Sequence, residues 1–202
     1  MIPEIRDYQR INAELVGLLD AGHSRIFLDG AEGQRLLAAG LGGDWRATIE
    51  IDGPTGPELA ASLDAPDLTI VARGRTADGA GRGLAAGRVV VLGDATDGVG
   101  FGQSGGTLIV LGSAGHRSGL AQSGGTLAIF GRVGRLAGDR QSGGRLFVAG
   151  SPRGPFRGRG RSGGRLIDVA EDESVPEADR ADWLRVLELA SAWVDVRRFR
   201  GR

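Results

Sequence analysis

The segments TLIVLG (107–112), TLAIFG (126–131) and RLFVAG (145–150) each carry a short apolar run into a glycine, and Gly112, Gly131 and Gly150 are 19 residues apart. The beat extends upstream through VVVLG (89–93) to Gly93 and TIVARG (69–74) to Gly74. A second mark keeps the same phase: Ser104-Gly105-Gly106, Ser123-Gly124-Gly125 and Ser142-Gly143-Gly144 recur at 19, and Ser162-Gly163-Gly164 follows at 20. Two independent marks in one phase define a structural repeat. One strand and its glycine turns per unit of about 20 residues is the pattern of a solenoid, whose units bury their apolar faces only by stacking on their neighbours. The chain is therefore expected to be all-β, a parallel β-helix with coils of about 19 residues, and its recurrent turn glycines to be structural.

Outward from the strict repeat the spacing loosens. IFLDG (26–30) and IEIDG (49–53) look like the first two rungs, at 23 and then 21 residues, and RLIDV (165–169) like the last. Ile11, Leu15, Leu18 and Leu19 share one face of a helix over Arg6 to Ala21, and Gly22 stands where a helix stops. Pro176 suits the first turn of a second helix, with Trp183, Leu187, Ala190 and Val194 on one face. The chain reads as one domain, 1–202: an N-terminal helix over 1–23, the β-helix over 24–170, and a C-terminal helix with a basic tail over 175–202.

Strand alternation assigns the faces. Leu108 and Val110, Leu127 and Ile129, and Leu146 and Val148 stack coil on coil as a core. Val90, Leu92, Ile109, Leu111, Phe130 and Phe147 point the other way and are apolar where a solvated wall would be polar. A contiguous apolar patch of this kind is rarely bare. Either the terminal helices pack on it or a partner protein does, which makes these six residues the candidate interface. Gln103, Gln122 and Gln141 also share one phase, and stacked amides can hydrogen-bond along a β-stack.

Composition removes several chemistries. The chain has no cysteine, which excludes disulfides, thiolate metal sites, iron–sulfur ligation and a cysteine nucleophile. Lys+Arg and Asp+Glu are equal at 25 each, so bulk charge recruits neither nucleic acid nor an anionic membrane. No stretch approaches the ~18 apolar residues of a membrane helix, and MIPEIRDYQR lacks the apolar core of a leader. A cytoplasmic protein without membrane or nucleic-acid partner is expected.

Several motifs imitate chemistry. Gly100-Phe-Gly102-Gln-Ser-Gly105 fits the dinucleotide fingerprint, but a strand follows where the pyrophosphate needs a helix N-terminus. Ser104 and Ser162 each sit in a G-x-S-x-G pattern, whose nucleophile needs a strand-turn-helix and a histidine base. The only histidines are His23 and His116. A free-standing serine esterase is thus one reading. RGPFRGRGRSGGR (153–165) resembles an RNA-binding RGG segment, yet its Ser-Gly-Gly stays on the repeat, which makes it a last coil with an arginine-rich turn that could meet an anionic surface or a carboxylate. Asp29 and Asp52, alike before their glycines, read as turn formers. No residue is assigned a catalytic, cofactor-binding or metal-binding role.

Between the apolar runs the coils read Gly112-x-x-Gly115-x-x-x-Gly119 and Gly131-x-x-Gly134-x-x-x-Gly138. This repeat resembles the C-terminal domain of the glutamate synthase large subunit and the C subunit of formylmethanofuran dehydrogenase. Ala77 and Thr96 replace the middle glycine in two coils, and Gly30-Ala31-Glu32-Gly33-Gln34 looks like the start of that domain in glutamate synthase. The resemblance spans about residues 5 to 170 and implies a right-handed parallel β-helix. It further implies a non-catalytic structural subunit in a hetero-oligomer, holding glutaminase-like and flavin synthase-like partners, with FMN and iron–sulfur centres in those partners. The alternative it implies is the equivalent scaffold of a formyltransferase–hydrolase complex.

Overall fold

In the computed structural model, which describes residues 7–150, 156–169 and 175–195, the chain is a parallel β-solenoid with a helix at each end. Helix α1 (Tyr8–Asp20) precedes eight strands: β1 (Arg25–Leu28), β2 (Ala47–Ile51), β3 (Asp64–Ala72), β4 (Ala86–Val91), β5 (Thr107–Val110), β6 (Thr126–Ile129), β7 (Arg145–Val148) and β8 (Arg165–Asp168). Helix α2 (Glu177–Ser191) follows. The strands form one sheet in sequence order, each parallel to the next. The expected all-β, parallel solenoid is the fold observed. The basic tail, the acidic stretch 170–174 and Arg153 lie outside the described residues.

Register follows the repeat. Ile49, Ile70, Val89, Leu108, Leu127, Leu146 and Leu166 form one stacked column, and all but Leu166, at 7%, are fully buried inside the coil. A second column of single bridges, Thr55–Thr76–Ala95–Ala114–Val133, supplies another wall. Where Leu63 and Leu84 fill the interior of early coils, Gln103, Gln122 and Gln141 do so in later ones, each fully buried. These amides bond chiefly to backbone: Gln103 Nε2 donates to Gly105 O at 2.9 Å and to Thr126 O of the next coil at 3.1 Å. One amide–amide bond occurs, Gln141 Nε2 to Gln122 Oε1 at 3.0 Å. The ladder expected from the spacing is therefore mostly amide-to-carbonyl, because buried turn carbonyls need donors as much as the amides need acceptors.

The recurrent glycines divide into two kinds. Gly119 and Gly138 have φ of 67° and 65°, the left-handed region that side chains with a Cβ enter at a cost. Gly74, Gly93, Gly112, Gly115, Gly131, Gly134 and Gly150 instead have ordinary φ but sit against the backbone of the coil below: a Cβ on Gly131 would lie 2.6 Å from Gly112 C, and one on Gly134 2.7 Å from Gly115 C. Close stacking, not torsion, explains the G-x-x-G part of the repeat.

The helices have different tasks. Ile11, Leu15 and Leu19 of α1 are buried with Ile26, Leu37 and Leu41 of the first coil. Asn12 stitches the helix to that coil, donating to Leu36 O at 2.8 Å and accepting from Ala38 N at 2.9 Å. α1 therefore belongs to the interior core rather than the outer wall. α2 covers the outer wall: Trp183, Val186, Leu187 and Ala190 are buried in one cluster with Val90, Ile109, Leu111, Phe130 and Phe147, and Leu92 packs beside them.

Candidate functional site

The six residues of the candidate interface are brought together, and the occupant of their surface is the chain's own α2. Val90, Ile109 and Phe147 are at most 1% exposed, so in this fold no partner reaches them. Of the two covers that the apolar alternation left open, a terminal helix or a partner protein, the structure has the helix: α2 packs on this face. The Trp183 ring stacks on Phe130 with centroids 5.5 Å apart and lies 5.3 Å from Phe147. At the edge of this contact Asp179, fully buried, meets Arg145 Nε at 3.0 Å and Arg165 Nε at 3.1 Å. Asp182 meets the same Arg145 Nε at 3.0 Å. Sequence reading missed Asp179, although it stands four residues before Trp183 on the apolar face of the helix.

Past Val71, which is buried in the same cluster as α2, the outer wall continues as Glu50 and Phe27 in one register column. Phe27 is 62% exposed, while Glu50 is 1% exposed between two arginines. Arg25 and Arg73 stand diagonally to it: Arg25 Nη2 reaches Glu50 Oε1 at 2.6 Å, and Arg73 binds Oε2. Burial works to raise the Glu50 carboxyl, and the hydrogen bonds and charges of the two guanidinium groups outweigh it, holding the group below its ordinary value. Asp29 and Asp52 join Phe27, Glu50 and Arg73 around a cleft of about 400 Å³.

A second cleft, of about 320 Å³, follows a corner of the coils and is lined by Phe101, Leu120, Arg82, Glu58, Asp78 and Arg117, among others. Arg82 lies over the Phe101 ring at 5.0 Å and pairs with Glu58 at 2.9 Å. Here side chains cap the next coil at fixed offset: Asp97 Oδ1 accepts from His116 N at 2.8 Å, and His116 Nδ1 accepts from Arg135 N at 2.8 Å. His116 is thus a backbone acceptor in a turn ladder, a role its isolation in sequence did not disclose.

A third cleft, of about 410 Å³, lies where β8 meets the start of α2, lined by Arg157, Arg161, Arg165, Leu166, Ile167, Asp168 and Pro176. The arginine-rich stretch that resembles an RGG segment is built into the last coil over its described part: Arg157 bridges to Ala137, and Ser162 N donates to Gln141 O at 3.0 Å. Ser104 and Ser162 are exposed on turns that lead directly into β5 and β8, so neither has the strand-turn-helix of a nucleophile elbow. Among the described residues no group of three or more His, Cys, Asp or Glu could hold a metal ion. Nor is any described helix long and apolar enough to cross a membrane.

Comparison of the chain with protein-family models, with characterised proteins and with solved structures finds no match.

Proposed function

We propose that this chain is a non-catalytic structural subunit of a cytoplasmic, glutamate synthase-like complex, positioning a cysteine glutaminase-like and a flavin synthase-like subunit. FMN and iron–sulfur centres belong to those partners. The observation that carries the reading is the G-x-x-G-x-x-x-G repeat, whose first two glycines in this fold let successive coils stack at backbone contact and which resembles the β-helix of that family. A rigid stack with engaged polar side chains suits a spacer more than a reaction centre. The part of the outer wall that α2 leaves open, around Phe27 and Glu50, offers a partner an aromatic anchor beside charged groups. The same repeat supports, as the alternative, the scaffold of a formylmethanofuran dehydrogenase-like complex, with a formyltransferase and a metal-dependent hydrolase as partners.

The test is purification of the chain from its own cells under gentle conditions, with mass spectrometry of what remains bound in stoichiometric amount. A glutaminase-like and a flavin-containing subunit are expected. Formyltransferase and hydrolase subunits would select the alternative, and a chain that sediments alone as a folded monomer would overturn both.

A further inference from the structure

We propose that the cleft between β8 and the start of α2 binds a small oxyanion, a carboxylate or a phosphate, on the guanidinium groups of Arg157 and Arg161. The cleft holds about 410 Å³, within the range of small-molecule sites. Three arginines line it, against Asp168 as the single lining carboxylate among the described residues. Arg165 is engaged with Asp179 at 3.1 Å. Arg157 and Arg161 are held differently. Arg157 Nη1 donates to Leu166 O at 3.3 Å and Arg161 Nη2 to Gly164 O at 3.2 Å, and among the described residues neither is ion-paired.

Those carbonyls fix the two guanidinium groups without neutralising them. A guanidinium carries five N–H donors in a rigid fork that matches the paired oxygens of a carboxylate or phosphate. Each of these two places one donor on a carbonyl, leaving the remainder for a ligand. Arg161 Nε is buried and has no acceptor among the described residues, and a buried donor in that condition calls for a missing acceptor. Burial, and then the charge of Arg157, lower the pKa of Arg161, as befits a cation beside a cation. The other two clefts are unlike this one: Arg25 and Arg73 are both on Glu50, and Arg82 is on Glu58. Of these three clefts, the one at β8 combines convergent guanidinium groups with a surplus of positive charge among its described lining residues.

The experiment titrates the whole purified chain with inorganic phosphate and, in a parallel arm, with succinate, each against sodium chloride at matched ionic strength. Heat of binding and melting temperature are read together. A saturable signal in at least one arm is expected, weakened tenfold or more in Arg157→Gln and Arg161→Gln and unchanged in Arg10→Gln, whose side chain is 67% exposed on α1. The arm that saturates identifies the source of the oxyanion. Arg161→Lys keeps the charge and removes the fork; it is expected to fold and to bind several-fold more weakly, which guards against loss of binding through misfolding. Absence of a saturable signal in both arms, or equal binding by wild type and all Arg157 and Arg161 variants, would overturn the proposal.

Discussion

The rings of Phe147 and Trp183 lie 5.3 Å apart, centroid to centroid, with their planes tilted by 36°, so the outer sheet face and the last helix pack as one unit. Both side chains are at most 5% exposed. Trp183→Ala removes the ring that bridges Phe130 and Phe147 and is expected to cost about 3 kcal/mol or more, measured as a lower urea midpoint. An unchanged midpoint would show that α2 is not held on the wall by this contact. Phe147→Asp places a charge in the same seam and is expected to be at least as damaging.

Asp179 fixes α2 by charge. Its carboxylate is fully buried, whereas Arg145 and Arg165 keep 36% and 47% of their side-chain exposure. Asp179→Asn leaves two guanidinium groups without their shared counter-charge, but water can reach both. The expected loss is about 2 kcal/mol, below the figure for a wholly buried pair. A double-mutant cycle with Arg145→Gln would show coupling between the two sites; strict additivity would refute a direct interaction.

Glycine substitutions separate stacking from helix propensity. Gly134→Ala puts a Cβ 2.7 Å from Gly115 C, and the coils must part to admit it, at an expected cost of about 2 kcal/mol. Gly17, inside α1, has nothing within 4 Å of its Cβ position. Gly17→Ala should therefore stabilise the protein by up to about 1 kcal/mol. Thermal unfolding of the two variants should move in opposite directions, and a common direction would contradict the assignment.

The Glu50 carboxyl gives a pH test. Its folded pKa is depressed by Arg25 and Arg73, so its contribution is complete above the unfolded carboxylate value of about 4.3. That contribution declines as pH falls from there toward the depressed folded value. The stability difference between wild type and Glu50→Gln is thus expected to be largest near neutrality and to shrink in acid. A difference independent of pH down to about 2 would contradict ionisation of Glu50 in the folded state.

The sequence by itself determined the solenoid. Ser-Gly-Gly and the strand-ending glycines recur at the spacing of one coil, and alternation within TLIVLG (107–112) assigns Leu108 and Val110 to the interior; both signals are local and periodic, so they survive without tertiary information. The tertiary structure decided what lies against each surface. The apolar alternation of Ile109 and Phe147 demands a cover and cannot name it, because hydrophobic burial is not directional; that the cover is α2, clamped by Asp179, follows only from the path of the chain. Glu50 carries no mark of its own in the sequence, since its two arginines come from positions 25 residues before and 23 after it. The same holds for Arg157 and Arg161, whose carbonyl partners and shared cleft exist only once the last coil has closed.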